Sequence, residues 1–223
     1  MKTAIFDLDG TLADTSRDLI GAVNACFRAR GAGEPLCPVG DAAAAFTGGR
    51  VMLRLGFERL HGAADEALVE EAYPEFLARY EARIDRETTL YPGVEAALER
   101  LAEGGWRLGV CTNKPERLAE ILMRRLGLRD RFASLVGADT LPVRKPDPAP
   151  LMEAIARAGG NAERAVLIGD TVTDRTCAKN AGVPCVLVTF GPEGEGVARL
   201  APEALLGDYA ALGETLESLI GAG

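Results

Sequence analysis

The chain has 223 residues, 48 % of them hydrophobic and 26 % charged, with a net charge of −8. One domain of this length, or one domain with a smaller insertion, can bury a core without disulfides, so collagen-like, disordered and small disulfide-scaffold classes are excluded. The acidic balance argues against a nucleic-acid binder, which needs basic surface to displace phosphate counterions, but a metal ion or a few local cations can still build a site for a small phosphorylated molecule.

In chain order, Lys2 to Leu8 reads as a short buried strand that stops at the turn signal Asp9-Gly10. Met1 leads straight into this strand, which predicts no signal peptide. Cys26, Cys37, Cys111, Cys177 and Cys185 form no CxxC, which predicts free thiols in a cytoplasmic protein. The longest uncharged stretch, Asn180 to Pro192, is too short and turn-rich to span a bilayer, so no membrane partner is expected. Asp14 to Arg30 carries Leu19, Val23, Cys26 and Phe27 on one helical face. Ala42 to Ala45 reads as a short helix, and Val51 to His61 and Asp65 to Arg86 as longer ones; no strand is predicted between residues 15 and 87.

From about residue 90, strands alternate with helices. The strands are Arg107 to Cys111, Ala133 to Gly137, Ala165 to Ile168 and Cys185 to Thr189. Helical faces run through Val94, Ala97, Leu98 and Leu101, through Leu118, Ile121 and Leu122, and through Leu151, Ala154, Ile155 and Ala158. Alternation of this kind predicts an α/β fold, a doubly wound parallel sheet covered by helices. The expected organisation is a core made of residues 1–14 and 88–223, with an α-helical subdomain, residues 15–87, inserted after the first strand.

Polar residues cluster where apolar strands end: Asp7-Leu8-Asp9-Gly10-Thr11, Thr112-Asn113-Lys114-Pro115 and Gly169-Asp170-Thr171-Val172-Thr173-Asp174, with Arg144-Lys145-Pro146-Asp147-Pro148 between the last two. Ligands of an open parallel sheet bind beyond the carboxyl ends of its strands. Asp7 and Asp9, two apart, would point the same way along a strand, and Asp170 and Asp174 would crowd the same pocket. Such a cluster repels itself unless a proton or cation enters, and oxygen-only donors favour Mg²⁺ before Ca²⁺. Thr11, Thr112, Asn113 and turn amides such as that of Gly10 can donate to phosphate oxygens, and Lys145 adds a point charge. Two neighbouring carboxylates can divide phosphoryl transfer, one attacking phosphorus and the other moving the proton.

These segments, DxDGT, a strand-terminal Thr, a Lys before Pro and GDxxxD in that order, resemble the four motifs of the haloacid dehalogenase superfamily. FDLDGTLAD, YPGV, CTNKP, RKPDP and GDTVTD are most similar to its phosphoglycolate-phosphatase-like members. The resemblance covers nearly the whole chain and implies a Rossmann-like core with a helical cap inserted after the first motif. It implies Asp7 as nucleophile and Asp9 as acid/base. It also implies Mg²⁺ held by the side chains of Asp7 and Asp170 and the backbone carbonyl of Asp9, with Asp174 in support, and a phosphoryl group held by Thr112 and Lys145. The substrate class it implies is a small phosphorylated metabolite, 2-phosphoglycolate first, acted on by a monomer or homodimer. Another small phosphate ester or inorganic pyrophosphate is the next reading. A catalytically idle partner-binding domain is disfavoured, because Asp7 and Asp9 are both present. Thr171, Arg175 and Pro192 depart from the family's usual residues.

Simpler readings stand beside several of these residues. Asp174 could cap the helix after it, Thr112 and Asn113 could cap a helix at Pro115, and Lys145 alone reads as a solvated lysine. Gly48, Gly49 and Arg50 are candidates for reading the substrate from the cap, Arg50 through a carboxylate, and otherwise mark a helix start. His61 reads as a helix C-terminal residue, Trp106 and Cys111 as core, and Glu66 to Glu75 as a solvated helix face.

Overall fold

A computed structural model describes residues 1–220. It divides the chain into two compact units, residues 1–13 with 90–223 and residues 14–89. The insertion thus begins one residue earlier and ends two residues later than its sequence pattern suggests.

The first unit is built on a six-stranded parallel sheet in the order β5-β4-β1-β6-β7-β8. Its strands are β1 (Thr3–Phe6), β4 (Arg107–Cys111), β5 (Ser134–Val136), β6 (Ala165–Gly169), β7 (Cys185–Val188) and β8 (Ala204–Leu206). Two further short strands, β2 (Ala13–Asp14) and β3 (Thr89–Leu90), form a separate two-stranded sheet. The architecture is the expected α/β doubly wound sheet. The chain starts in the middle, steps outward through β4 to β5, then returns to the other side of β1 for β6, β7 and β8. The strand order reverses about β1, so the loops after β4, β1 and β6 lie side by side.

Helices α7 (Ala149–Arg157) and α8 (Val172–Ala181) pack on the sheet through Leu151, Ala154, Ile155, Cys177 and Ala178, which join Ile5, Cys111, Val136, Leu167 and Leu187 in one buried cluster. Helices α5 (Val94–Glu103) and α9 (Leu212–Ile220) pack against each other and on the sheet, and α6 (Glu116–Arg125) follows β4. The buried stripe of α5 is Val94, Ala97, Leu98 and Leu101, the 3.6-residue period expected. The central strands are buried along their whole length, as parallel strands covered on both faces must be. Strand β8 is not signalled by the sequence: at the sheet edge its Leu205 stays exposed, and three residues show no period.

The second unit is four helices: α1 (Ser16–Ala29), α2 (Ala42–Ala45), α3 (Gly49–His61) and α4 (Glu66–Glu81). Helices α1, α3 and α4 pack on one another around Leu19, Ile20, Val23, Phe27, Met52, Leu53, Phe57, Val69, Phe76 and Tyr80, all buried. Gly56 lets α3 approach closely, since a Cβ there would lie 2.4 Å from the Phe27 ring. Helix α4 starts at Asp65, whose carboxylate accepts from the Ala67 N–H, and ends at Glu81 instead of continuing to Arg86. Beyond it the backbone N–H groups of Glu87 and Thr88 donate to the buried Asp18 at 2.8 and 2.9 Å, which holds the segment out of helix. No helix among the described residues is long and apolar enough to cross a membrane.

Candidate active site

The site is made at the ends of β1 and β6. One residue past β1 the Asp7 N–H still donates to the Ile168 carbonyl at 2.9 Å, and then the chain turns: the N–H groups of Leu12 and Ala13 both donate to the Leu8 carbonyl. Gly10 takes φ +82° in this turn, a conformation strained for any residue with a Cβ, and donates to the Ala13 carbonyl. The buried Tyr209 braces the turn by donating its hydroxyl to the Thr11 carbonyl at 2.8 Å. Because β1 stops at Phe6, strand alternation does not aim Asp7 and Asp9 into one cluster. Instead Asp7 joins Asp170 and Asp174, whose carboxylate oxygens lie within 4.8 Å of one another.

Past β6, Gly169 is required by packing, since a Cβ would fall 2.4 Å from the Asp174 side chain. Thr171 then caps α8. Its Oγ accepts from the Asp174 N–H, while Asp174 Oδ2 accepts from the Thr171 N–H at 3.1 Å and hydroxyl at 2.7 Å. Oδ2 also accepts from the Asp170 N–H at 3.3 Å. The other oxygen, Oδ1, takes Lys145 Nζ at 2.6 Å. Asp174 therefore caps the helix and anchors the lysine at once, and both of its oxygens are used.

Lys145 is not a solvated lysine. Its side chain is 1 % exposed, and its ammonium lies between Asp174 and Asp7, 3.2 Å from Asp7 Oδ2. Asp170 is fully buried, with Oδ1 accepting from Thr11 Oγ at 3.0 Å and Oδ2 buried with no hydrogen-bond partner.

Three carboxylates therefore crowd one buried place, and one ammonium contacts two of them. Burial pushes the Asp7 carboxyl up to about 6; Lys145 opposes that, and the charges of Asp174 and Asp9 add to it. Burial and then the charges of Asp174 and Asp7 push Asp170 well above the usual carboxylate range. Burial acts the same way on Asp174, but the charge and hydrogen bond of Lys145 outweigh it and hold that carboxyl low. Lys145 in turn is held well above its ordinary value by Asp174 and Asp7, although burial works the other way. A buried carboxylate oxygen without a donor costs several kcal/mol unless a proton or cation reaches it. A hard divalent cation fits this donor set: Asp170 Oδ2 is orphaned, the donors are all oxygen, and the excess of two negative charges matches its own.

At the end of β4 the residues take other roles than helix capping. Thr112 Oγ accepts from the Lys114 N–H at 3.2 Å, and Asn113 donates its side-chain amide to the Lys145 carbonyl at 3.0 Å. Helix α6 instead starts at Pro115, with Asp139 accepting from the Glu116 N–H at 2.7 Å. The carboxylate of Asp9 lies outside the acidic triad: Lys114 Nζ contacts both its oxygens, at 2.8 and 2.9 Å. Lys114 is the residue sequence reasoning missed. It stands in the same strand-end segment as Thr112 and Asn113, and its side chain is 3 % exposed.

In the helical unit, Gly48 and Gly49 begin α3, and Arg50 makes two bonds to Glu70, at 2.6 and 3.0 Å, while lying 3.6 Å above the Tyr73 ring. His61 ends α3, stacked beside Phe57; Trp106 and Cys111 are buried; Glu66 and Glu70 are exposed partners of Arg54 and Arg50. Arg175 meets Glu203 at 2.9 Å and so serves the packing of α8 near β8.

The pattern of the haloacid dehalogenase-like hydrolases matches residues 4–188. The chain belongs to that family. A phosphoglycolate phosphatase of Agrobacterium fabrum is 38 % identical over 224 residues, covering 99 % of this chain and 94 % of the relative. One from Xanthomonas campestris pv. campestris is 42 % identical over 191 residues, 85 % of this chain and 84 % of its own. With such relatives this haloacid dehalogenase-like hydrolase is a phosphatase. The crystal structure of a predicted phosphoglycolate phosphatase from Haemophilus somnus shares the fold, with a TM-score of 0.85 at 24 % identity over 96 % of this chain and 97 % of that one.

Proposed function

We propose that this phosphatase hydrolyses 2-phosphoglycolate to glycolate and phosphate through an aspartyl-phosphate intermediate on Asp7, with Mg²⁺ as cofactor. The observation that carries the chemistry is the buried cluster of Asp7, Asp170, Asp174 and Lys145, which holds an orphaned carboxylate oxygen at the end of β6. The substrate is argued from the relatives named above, which are phosphoglycolate phosphatases over nearly the whole length of this chain.

The side chains of Asp7 and Asp170 and the backbone carbonyl of Asp9 would hold the Mg²⁺, with Asp174 in support through its hydrogen bonds to the backbone N–H groups of Asp170 and Thr171. When bound, the ion neutralises the crowded carboxylates and draws charge from the phosphoryl oxygens. Asp7 attacks phosphorus through a carboxylate oxygen as the ester P–O bond breaks. Lys145, fixed by Asp174, orients Asp7 and offers its ammonium to the phosphoryl group, and Thr112 and Asn113 supply further donors, whereas the Gly10 N–H and the Thr11 hydroxyl are already given to the Ala13 carbonyl and to Asp170. The Asp9 carboxyl gives its proton to the leaving oxygen, then takes one from the water that attacks the aspartyl phosphate. Glycolate leaves with the proton from Asp9; the water oxygen then bonds to phosphorus as the bond from phosphorus to the Asp7 oxygen breaks, phosphate leaves, the Asp7 carboxylate is restored, and Asp9 regains a proton from that water.

The test is a kcat/KM ranking over phosphate esters in Mg²⁺ and in EDTA, with rapid quench to trap acid-stable phosphoprotein. 2-Phosphoglycolate should lead and turnover should require Mg²⁺. A different leading ester would overturn the substrate, and an absence of phosphoprotein under burst conditions would overturn the covalent route.

A further inference from the structure

The mechanism leaves one buried cation without a task. The backbone of Lys114 is pinned on both sides: its N–H donates to Thr112 Oγ, and its carbonyl accepts from the Ala138 N–H at 2.9 Å. Its four-carbon stem leads from there to an ammonium that spans both oxygens of Asp9. A proton held on one of those oxygens for the ester weakens the ammonium's hold on that oxygen, and the ammonium shifts from it more readily when another anion receives it.

We infer that Lys114 is a specificity-determining residue whose ammonium leaves one Asp9 oxygen for a second anionic group on the leaving side of the ester. The inference rests on the assignment of Asp9 as the proton carrier. The leaving oxygen must sit within hydrogen-bond distance of an Asp9 oxygen, and Lys114 Nζ is itself 2.8 Å from that carboxylate. A carboxylate two covalent bonds from the leaving oxygen therefore falls within the swing of the lysine stem. A neutral alkyl group at the same place gives the ammonium nothing, so it keeps both Asp9 oxygens. The substrate class selected is the phosphate esters of α-hydroxy acids. Lysine suits this exchange, because its ammonium is a compact charge with three donors on a flexible stem. Lys145 is differently placed, gripped by Asp7 and Asp174 together.

The experiment compares kcat/KM for 2-phosphoglycolate, 2-phospho-L-lactate and ethyl phosphate in the wild type, Lys114→Met, Lys114→Gln and Lys114→Arg. Inhibition by inorganic phosphate serves as the check that the phosphoryl pocket is formed. The wild type should favour both acids over ethyl phosphate. Lys114→Met and Lys114→Gln should each lose about 10–100-fold of that preference, the worth of a charge-assisted bond, with phosphate inhibition retained. Lys114→Arg should recover part of it. A preference that survives in Lys114→Met or in Lys114→Gln overturns the inference while the substrate reading stands. So does an equal fall on all three esters, which would leave Lys114 only as a support for Asp9. A wild type that prefers phospholactate, and loses that preference in the variants, overturns the substrate while supporting Lys114. A wild type indifferent to the carboxylate overturns both.

Discussion

Asp18 in the helical unit and Asp170 at the end of β6 are both fully buried aspartates, yet their surroundings differ. Asp18 Oδ2 accepts from the backbone N–H groups of Glu87 and Thr88 and from the Thr88 hydroxyl, and its Oδ1 lies 3.3 Å from the Arg83 guanidinium. Asp170 has one hydroxyl donor on Oδ1 and nothing on Oδ2. Burial is the same in the two places, and satisfaction is not. A buried charge that folding has fully paired holds a chain segment; one left short of partners is held ready for something from outside. Nearer the surface the helical unit shows a third case, with Arg50, Arg54 and Arg59 paired to Glu70, Glu66 and Asp41.

The largest expected effect lies inside the orphaned cluster. Asp7→Asn keeps the shape of the side chain but removes the attacking oxygen, so kcat should fall by roughly 10⁴-fold or more on every ester. A pure, folded variant that retains a tenth of wild-type turnover would remove Asp7 from the nucleophile's role. Asp9→Asn should be graded instead, losing roughly 10²–10⁴-fold on an alkyl phosphate, whose leaving oxygen needs a proton. Acetyl phosphate needs none, so its phosphorylation step should suffer much less and a burst should precede slow turnover. Equal slowing of phosphorylation by the alkyl ester and by acetyl phosphate would refute the division of labour between the two carboxylates.

The contrast between the two buried aspartates is sharpened by stability. Asp18→Ala strips buried donors of their acceptor and should cost about 3 kcal/mol or more of unfolding free energy. Asp170→Ala removes a carboxylate that is short of partners and crowded by Asp7 and Asp174, so in EDTA it should leave stability unchanged or raise it. The same substitution should raise the Mg²⁺ concentration needed for half-maximal activity. Urea unfolding of both variants in EDTA, with Mg²⁺ titrations of Asp170→Ala, measures all three. Equal destabilisation by the two substitutions would erase the distinction drawn between them.

The parts of the site legible in the sequence are those at strand ends. An apolar run followed by Asp-x-Asp-Gly or Gly-Asp puts the polar residue just past the strand, and for β1 and β6 that suffices to bring Asp7 and Asp170 together. For Asp174 a helix cap and a metal-supporting role were legible as alternatives, but its grip on Lys145 was not, because an aspartate at the third position of a helix reads as a cap whatever else it holds. Lys114 stood in a strand-end segment with no role assigned to it, and only its long-range partner 105 residues earlier gives it one. The same limit explains the end of α4, where Asp18 captures the backbone from 69 and 70 residues away, against the local helical pattern. Long-range pairing by buried charge leaves no period in the sequence.

Arg50 yields the smallest expected effect and tests which unit reads a substrate carboxylate. Its guanidinium already makes two bonds to Glu70 and lies over Tyr73, and both members of the ion pair are more than a third exposed. An exposed pair of this kind is worth about 0–1 kcal/mol. If a substrate carboxylate took the place of Glu70, one such partner would be exchanged for another, with little net gain. Arg50→Ala should therefore lower stability by at most about 1 kcal/mol. It should change the preference for 2-phosphoglycolate over ethyl phosphate by less than about threefold, since 0.7 kcal/mol corresponds to roughly that ratio. Lys114, buried and close to Asp9, should move the same ratio much further. The two variants assayed side by side on the two esters give the answer. A loss of preference in Arg50→Ala as large as that in Lys114→Met would shift recognition of the carboxylate to the helical unit, and the Glu70 pair would then be a resting contact that substrate displaces.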